Sequence, residues 1–176
     1  MYDFQSFIDA CETAAAQPDA QVKVRTIIEE WLHHPDEIAT VLKDYGDVSS
    51  LDTMVFHSSE RLTLIHVTLD PLFIAGPHNH GMWAVVGVYG GREDNTFYKV
   101  DDGRLSVATH KSVNAPETLT LGKNIIHAIR NPLDVQLKAI HAYGGDLMRA
   151  ERSTWDPTTS VETPYDWKKI SGPGNK

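Results

Sequence analysis

The run Ala75-Gly-Pro-His-Asn-His-Gly-Met-Trp83 places two histidines two positions apart, directly after a Gly-Pro pair. Side chains two apart on a strand leave the same face, so His78 and His80 project toward one point. A third histidine, His127, lies in Gly122-Lys-Asn-Ile-Ile-His-Ala-Ile-Arg-Asn131. Brought in from a distant strand, its imidazole would close a trigonal face around a metal ion and leave other coordination positions open for substrate and oxygen. On residue pattern alone a strand histidine is more often a hydrogen-bonded residue than a ligand. The pair leaves both readings open.

The segments around this run are short and β-forming. Arg61 to Leu69 is rich in β-branched residues and ends at Asp70-Pro71, and Met82 to Tyr89 is nearly all apolar and ends at Gly90-Gly91. Thr96 to Val100 and Leu105 to Val113 flank Asp101-Asp102-Gly103, a hairpin signal whose glycine supplies positive φ. Thr118 to Leu121, Ile125 to Ile129 and Val135 to Tyr143 follow, with turns at Gly122 and Asn131-Pro132. Many short strands in close succession predict a sandwich or barrel.

Ahead of the strands the period changes. Phe4, Phe7, Ile8, Cys11, Ala14 and Ala15 recur at helical spacing, and Val24, Ile27, Ile28, Trp31 and Leu32 share one side of a second segment from Gln21 to Leu32. His34-Pro35-Asp36-Glu37 reads as a third helix start, with a stop near Gly46. The whole chain, 1–176, is expected to be one domain: helices over 1–46, a barrel over 47–156 and an extension over 157–176 whose last residues are mobile.

Composition narrows the partners. A net charge of −8 with scattered Lys and Arg argues against a nucleic-acid partner. No apolar run approaches the ~20 residues of a membrane span, so no membrane partner is expected. The single cysteine, Cys11, forms no intrachain disulfide and reads as core packing. Met1-Tyr-Asp-Phe-Gln lacks the basic segment and apolar run of a secretory signal. A cytoplasmic monomer or small homo-oligomer is expected.

The two histidine segments resemble the paired motifs of the cupin superfamily. His78-x-His80 followed by Gly91 matches the first, and His127 followed by Asn131 the second. The resemblance implies a mainly β fold, the double-stranded β-helix or jelly-roll barrel, here with N-terminal α-helices. Cupins often carry a glutamate four or five residues after the second histidine; Ala84 and Val85 stand there, so the implied ligand set is three neutral histidines. More narrowly, Pro77 to Gly91, His127 to Asn131 and Ile140-His-Ala-Tyr-Gly-Gly-Asp146 resemble the thiol dioxygenases, namely cysteine dioxygenase and especially its bacterial 3-mercaptopropionate dioxygenase relatives. The likeness runs over roughly residues 50–156. It implies ferrous iron, Fe(II), on His78, His80 and His127, with a small thiol carboxylic acid and O₂ as substrates and a sulfinic acid as product.

The same resemblance assigns His141 and Tyr143 to a Ser-x-His-x-Tyr relay, the serine position being Ala139. A period of two puts both on one strand face, where they are either a buried hydrogen-bonded pair or a group aimed at substrate. The cross-linking cysteine of the animal enzymes is replaced by Val85, and Asp52-Thr-Met-Val-Phe56 lacks their carboxylate-binding arginine. Arg152, nine residues beyond Tyr143, has the spacing of the arginine that binds carboxylate in the mercaptopropionate type. If Leu147 to Trp155 is a strand, Arg152 shares a face with Met148 and Ala150. It is then either a carboxylate clamp or half of a salt bridge with Glu151, Asp146 or Asp156. Trp83 reads as a substrate-binding pocket wall. His66 reads as structural, His33 and His34 as helix-end residues, and His57 and His110 as surface residues. Two further activities fit three histidines: diketone cleavage or metal-dependent isomerisation. A non-catalytic metal- or ligand-binding cupin is a reading from another class.

Overall fold

Val85, Val86, Val88 and Tyr89 are all buried because the strand that carries them is covered on both sides. In the computed structural model, which describes residues 3–45 and 54–166, helices α1 (Phe4–Ala15), α2 (Ala20–Trp31) and α3 (Pro35–Val41) precede eleven strands. These are β1 (Val55–Ser58), β2 (Thr63–Leu69), β3 (Ile74–His78), β4 (Ala84–Gly90), β5 (Arg92–Asp101), β6 (Arg104–Asn114), β7 (Glu117–Leu121), β8 (Ile126–Arg130), β9 (Leu137–Tyr143), β10 (Ser153–Trp155) and β11 (Glu162–Pro164). The expected helix stop at Gly46, residues Asp52 and Thr53, and the end of the tail from 167 lie outside the described residues. No helix among the described residues is long and apolar enough to cross a membrane.

Two antiparallel sheets face each other, in the orders β1-β2-β9-β4-β7 and β11-β10-β3-β8-β5-β6. From β2 to β5 the chain changes sheet at every strand, and it alternates again from β6 to β10, as a double-stranded β-helix does. The expected jelly-roll barrel with N-terminal helices is therefore present. Ile65, Val67, Leu69, Ala84, Val86, Val88, Leu137 and Ala139 fill the space between the sheets, with Ala75 and Ile129 from the opposite side.

The alternate residues of the first sheet, Leu64, Val85, Tyr89, Ile140 and Ala142, meet Phe7, Cys11, Val24, Ile28 and Trp31 of the helices. Helix α2 seats directly on β4 at Gly87, where an added Cβ would lie 2.5 Å from Ile28 Cγ2. The Phe7 and Trp31 rings stack at 3.8 Å. Burying each such side chain contributes on the order of 2–3 kcal/mol. Among the described residues the outer face of the second sheet has no such cover, and β6 is exposed along nearly its whole length. The hairpin at Asp102-Gly103 forms as read, with φ of 49° and 74° at those residues.

The reading of Leu147 to Trp155 as one strand is corrected. Only Ser153–Trp155 is strand, and an Asp146 side chain that accepts from Met148 N holds the preceding segment in a turn. Arg152 therefore sits at the entry to β10, and its direction follows from the turn rather than from strand alternation.

Candidate metal centre

Ala75 and His78 both face the barrel interior although they are three residues apart. The cause is a β-bulge: Ala75 pairs with Ile129 and His78 with His127, so Gly76 and Pro77 together stand opposite Ala128. A bulge accommodates a proline, which has no N–H for the ladder, and it reverses the phase of all later side chains. Strand β3 ends at His78, so His80 is presented by the loop beyond it and not, as the spacing suggested, by the strand. That loop is pinned to β10. Asn79 N donates to Ser153 O at 3.1 Å, and Ser153 N donates to Asn79 Oδ1 at 2.8 Å. Gly81, directly after His80, has φ of +70° and would place a Cβ 2.9 Å from Glu151 O, so no side chain fits there.

His78, His80 and His127 converge, with one ring nitrogen from each within 4.8 Å of the others, and all three are buried. No carboxylate joins this group among the described residues. The hydrogen bonds fix which nitrogens are free. His78 Nδ1 lies 2.9 Å from Gly76 O, and a carbonyl only accepts, so Nδ1 carries the proton and Nε2 a lone pair. At His127 the logic passes through two residues. The Glu93 carboxylate accepts from Asn95 Nδ2 at 2.9 Å, which turns Asn95 Oδ1 toward His127 Nδ1 at 2.8 Å and makes that nitrogen the donor. His127 Nε2 is therefore bare.

His127 Nε2 stands 3.4 Å from His80 Nε2. Two imidazole nitrogens bound to one ion at about 2.0–2.1 Å and a right angle would stand about 3 Å apart. The donor set fits a divalent cation with open positions. Burial holds the three imidazoles in their neutral, ligating form: His78 is pushed down to about 4, and His80 and His127 fall well below the usual histidine range, their mutual repulsion as cations adding to the burial.

Beside the histidines lies a cavity of about 40 Å³. Its polar lining is His78, His80, His127, His141, Tyr143, Arg152 and Tyr165, and its walls are Met54, Ile65, Val67, Leu69, Phe73, Ala75, Ile129 and Leu147. The Tyr143 ring is 5.1 Å from the His80 ring, and its hydroxyl is 3.0 Å from His141 Nδ1. Burial pushes this phenol far above the usual tyrosine range, so it stays protonated. Arg152 reaches the cavity with its guanidinium carbon 3.7 Å from the centre of the Tyr165 ring. Its Nε is buried without a hydrogen-bond partner, and Asp146 pairs with Arg149 rather than with Arg152.

Trp83 is placed elsewhere. Its ring packs among the helix-side residues and against Gly144, and it does not line the cavity, so its reading as a pocket wall is corrected. Trp83 stands immediately before β4, whose first residue Ala84 faces the space between the sheets, so alternation turns the Trp83 ring outward with Val85. Val85 also faces the helices, whereas Ala84 stands opposite Tyr143. His66 is structural, bonded to Tyr45 O at 2.8 Å and Tyr89 OH at 2.6 Å.

Three site residues escaped the sequence reading. The strand expected from Thr96 begins four residues earlier, at Arg92, and carries Glu93 and Asn95 into the site. Their spacing with Phe97, whose ring lies against His127, was the available signal. Tyr165 comes from the C-terminal extension, and no local pattern marks it.

No family model matches the sequence, and no curated protein matches it. Solved structures similar to this chain are cupin-fold proteins. One is a cupin 2 conserved barrel domain protein from Salinispora arenicola, 16% identical, with a TM-score of 0.40 over 51% of this chain and 66% of that one. Another is the DMSP lyase DddQ from Ruegeria pomeroyi, 15% identical, with a TM-score of 0.45 over 57% of this chain and 46% of that one. A third is oxalate decarboxylase from Bacillus subtilis, 19% identical, with a TM-score of 0.41 over 50% of this chain and 22% of that one.

Proposed function

We propose that this chain is a non-haem iron dioxygenase that oxidises a small thiol carboxylic acid, of the 3-mercaptopropionate or cysteine kind, to its sulfinic acid. The observation that carries the reading is one buried cavity lined jointly by three histidines, Tyr143, His141 and Arg152. Held by His78, His80 and His127, ferrous iron would supply the redox chemistry for O₂ and the charge that favours a thiolate.

The protein's own residues do the rest. Three neutral imidazoles leave the charge of a divalent ion uncompensated, so the centre selects an anionic ligand; a carboxylate in the inner sphere would weaken that pull. The Arg152 fork matches a carboxylate in bidentate geometry, and its buried Nε has no competing partner. Tyr143, held by His141, offers a protonated phenol at the cavity wall. The apolar walls exclude water and keep thiol and O₂ together. In the net reaction R–SH and O₂ give R–SO₂H: both oxygen atoms end on sulfur, which loses four electrons to O₂.

Cavity size favours this reading over diketone cleavage. About 40 Å³ is room for roughly three waters at ~10–15 Å³ of free space each, so the substrate has few heavy atoms. The test is O₂ uptake and sulfinate formation by iron-loaded protein with 3-mercaptopropionate, cysteine and cysteamine. Thiol-dependent uptake that is strongest with the carboxylated thiols is expected. Oxygen consumption indifferent to every thiol overturns the proposal.

A further inference from the structure

We infer that Glu93 is the positioning residue of this site, orienting the ligand His127 through Asn95 and the phenol of Tyr143 through His141. The inference rests on the three-histidine centre of the proposed function and is independent of which substrate is oxidised.

Glu93 is fully buried on β5, and it points between the sheets with Asn95. A carboxylate in that place needs donors. One oxygen accepts from Asn95 Nδ2 at 2.9 Å, the bond that fixes the His127 tautomer. The other oxygen has no hydrogen-bond partner, and neither does His141 Nε2; the two face each other at 3.7 Å. Leaving both unsatisfied costs far more than the few tenths of an ångström needed to pair them.

The consequence for His141 is definite. Its Nε2 carries the proton toward Glu93, its Nδ1 accepts from the Tyr143 hydroxyl at 3.0 Å, and the phenol oxygen keeps its lone pairs toward the cavity. Ala139, on the same strand face two residues before His141, has no hydroxyl to do this. A carboxylate from the facing sheet takes that role and joins both halves of the site into one chain: His127, Asn95, Glu93, His141, Tyr143.

The test uses metal-free protein labelled with ¹⁵N-histidine, with the His141 resonances assigned by their loss in His141→Gln. Wild type is expected to show His141 protonated at Nε2 alone. In Glu93→Gln the new amide N–H faces the ring, and the proton is expected to move to Nδ1. Co(II) titration followed by absorption is expected to show affinity reduced about 10–100-fold in Asn95→Leu and by less in Glu93→Gln, whose amide oxygen still accepts from Asn95 Nδ2. Asn95→Leu should leave the His141 tautomer as in wild type. A wild-type Nε2 without a proton, or a doubly protonated ring, overturns the inference whatever the variants' stability. So does a tautomer that ignores Glu93→Gln, or Co(II) affinity unchanged in both variants. Neither readout involves thiol turnover, so this result and that of the thiol screen stand apart.

Discussion

His78 and His127 are direct cross-strand partners, with ring centroids 4.7 Å apart, so two of the three nitrogen donors are placed by the register of β3 on β8. His80 reaches the same point from a loop that Asn79 fastens to Ser153. The ligands thus tie together segments remote in sequence, and a bound ion links them in the native state only. A divalent metal at 100 times its Kd stabilises the native state by about 2.7 kcal/mol. For a chain of this size that is a rise of about 5–10 °C in Tm. Scanning calorimetry with and without Co(II) is expected to show the shift in wild type and to lose it in His78→Ala, His80→Ala and His127→Ala alike. A shift that survives loss of any one histidine would place the ion elsewhere.

Arg152 enters the cavity over the face of Tyr165, without a carboxylate partner among the described residues. A charge-assisted bond to substrate carboxylate is worth about 1.5–3 kcal/mol. Arg152→Ala should therefore lower kcat/KM for 3-mercaptopropionate by about 10–150-fold, mainly through KM, and leave cysteamine turnover within about twofold. Arg152→Lys keeps the charge but not the planar fork, and is expected to recover only part of the loss. Equal losses on both thiols would remove the guanidinium from the clamp.

Much of this centre was legible in the residue pattern for a simple reason. Histidines at spacing two after Gly-Pro, and a third after a glycine turn, are rare residue types set in β-forming text. The helical period of the first segments and the apolar run of β4 were legible too, although the sheet that the helices cover emerges only from the packing. What stayed hidden depends on phase and distance. The bulge at Gly76-Pro77 changes which residues face inward, and nothing in the local alternation announces it. Glu93 and Asn95 look like turn residues because buried polar side chains contradict the inward-apolar rule. Trp83 misled in the other direction: adjacency to the histidines in sequence did not carry its ring into the cavity.

His66 offers a check on stability away from the metal. Burial lowers its pKa below the usual 6.5, and its Nδ1–H and Nε2 are engaged by Tyr45 O and Tyr89 OH. The unfolded chain takes up a proton as pH falls through about 6.5, and the folded chain resists doing so. More protons on the unfolded state means that stability is complete above that pH and declines below it, until the lower folded pKa is passed. The slope contributed by this one group approaches about 1.4 kcal/mol per pH unit. Urea unfolding from pH 7.5 to 5 should show a shallower decline in His66→Asn than in wild type. Parallel curves would mean that His66 is not held neutral by the fold.

Ala139→Ser tests the buried network from its empty side. Ala139 is fully buried and stands between Val67 and Val88 on the neighbouring strands, so the nearest polar side chain on its own strand face is His141. With the His141 Nε2 proton directed at Glu93, the new hydroxyl finds no partner and costs about 1–3 kcal/mol of stability. Thiol turnover should rise by less than about twofold. In a Glu93→Gln background His141 presents a different face to the serine, so the cost of Ala139→Ser should change by about 0.5 kcal/mol or more, a coupling that a double-mutant cycle of urea unfolding resolves. If the serine instead stabilises the wild-type background and raises turnover tenfold, His141 lacked a partner all along. Additive costs in the cycle would likewise separate Glu93 from His141.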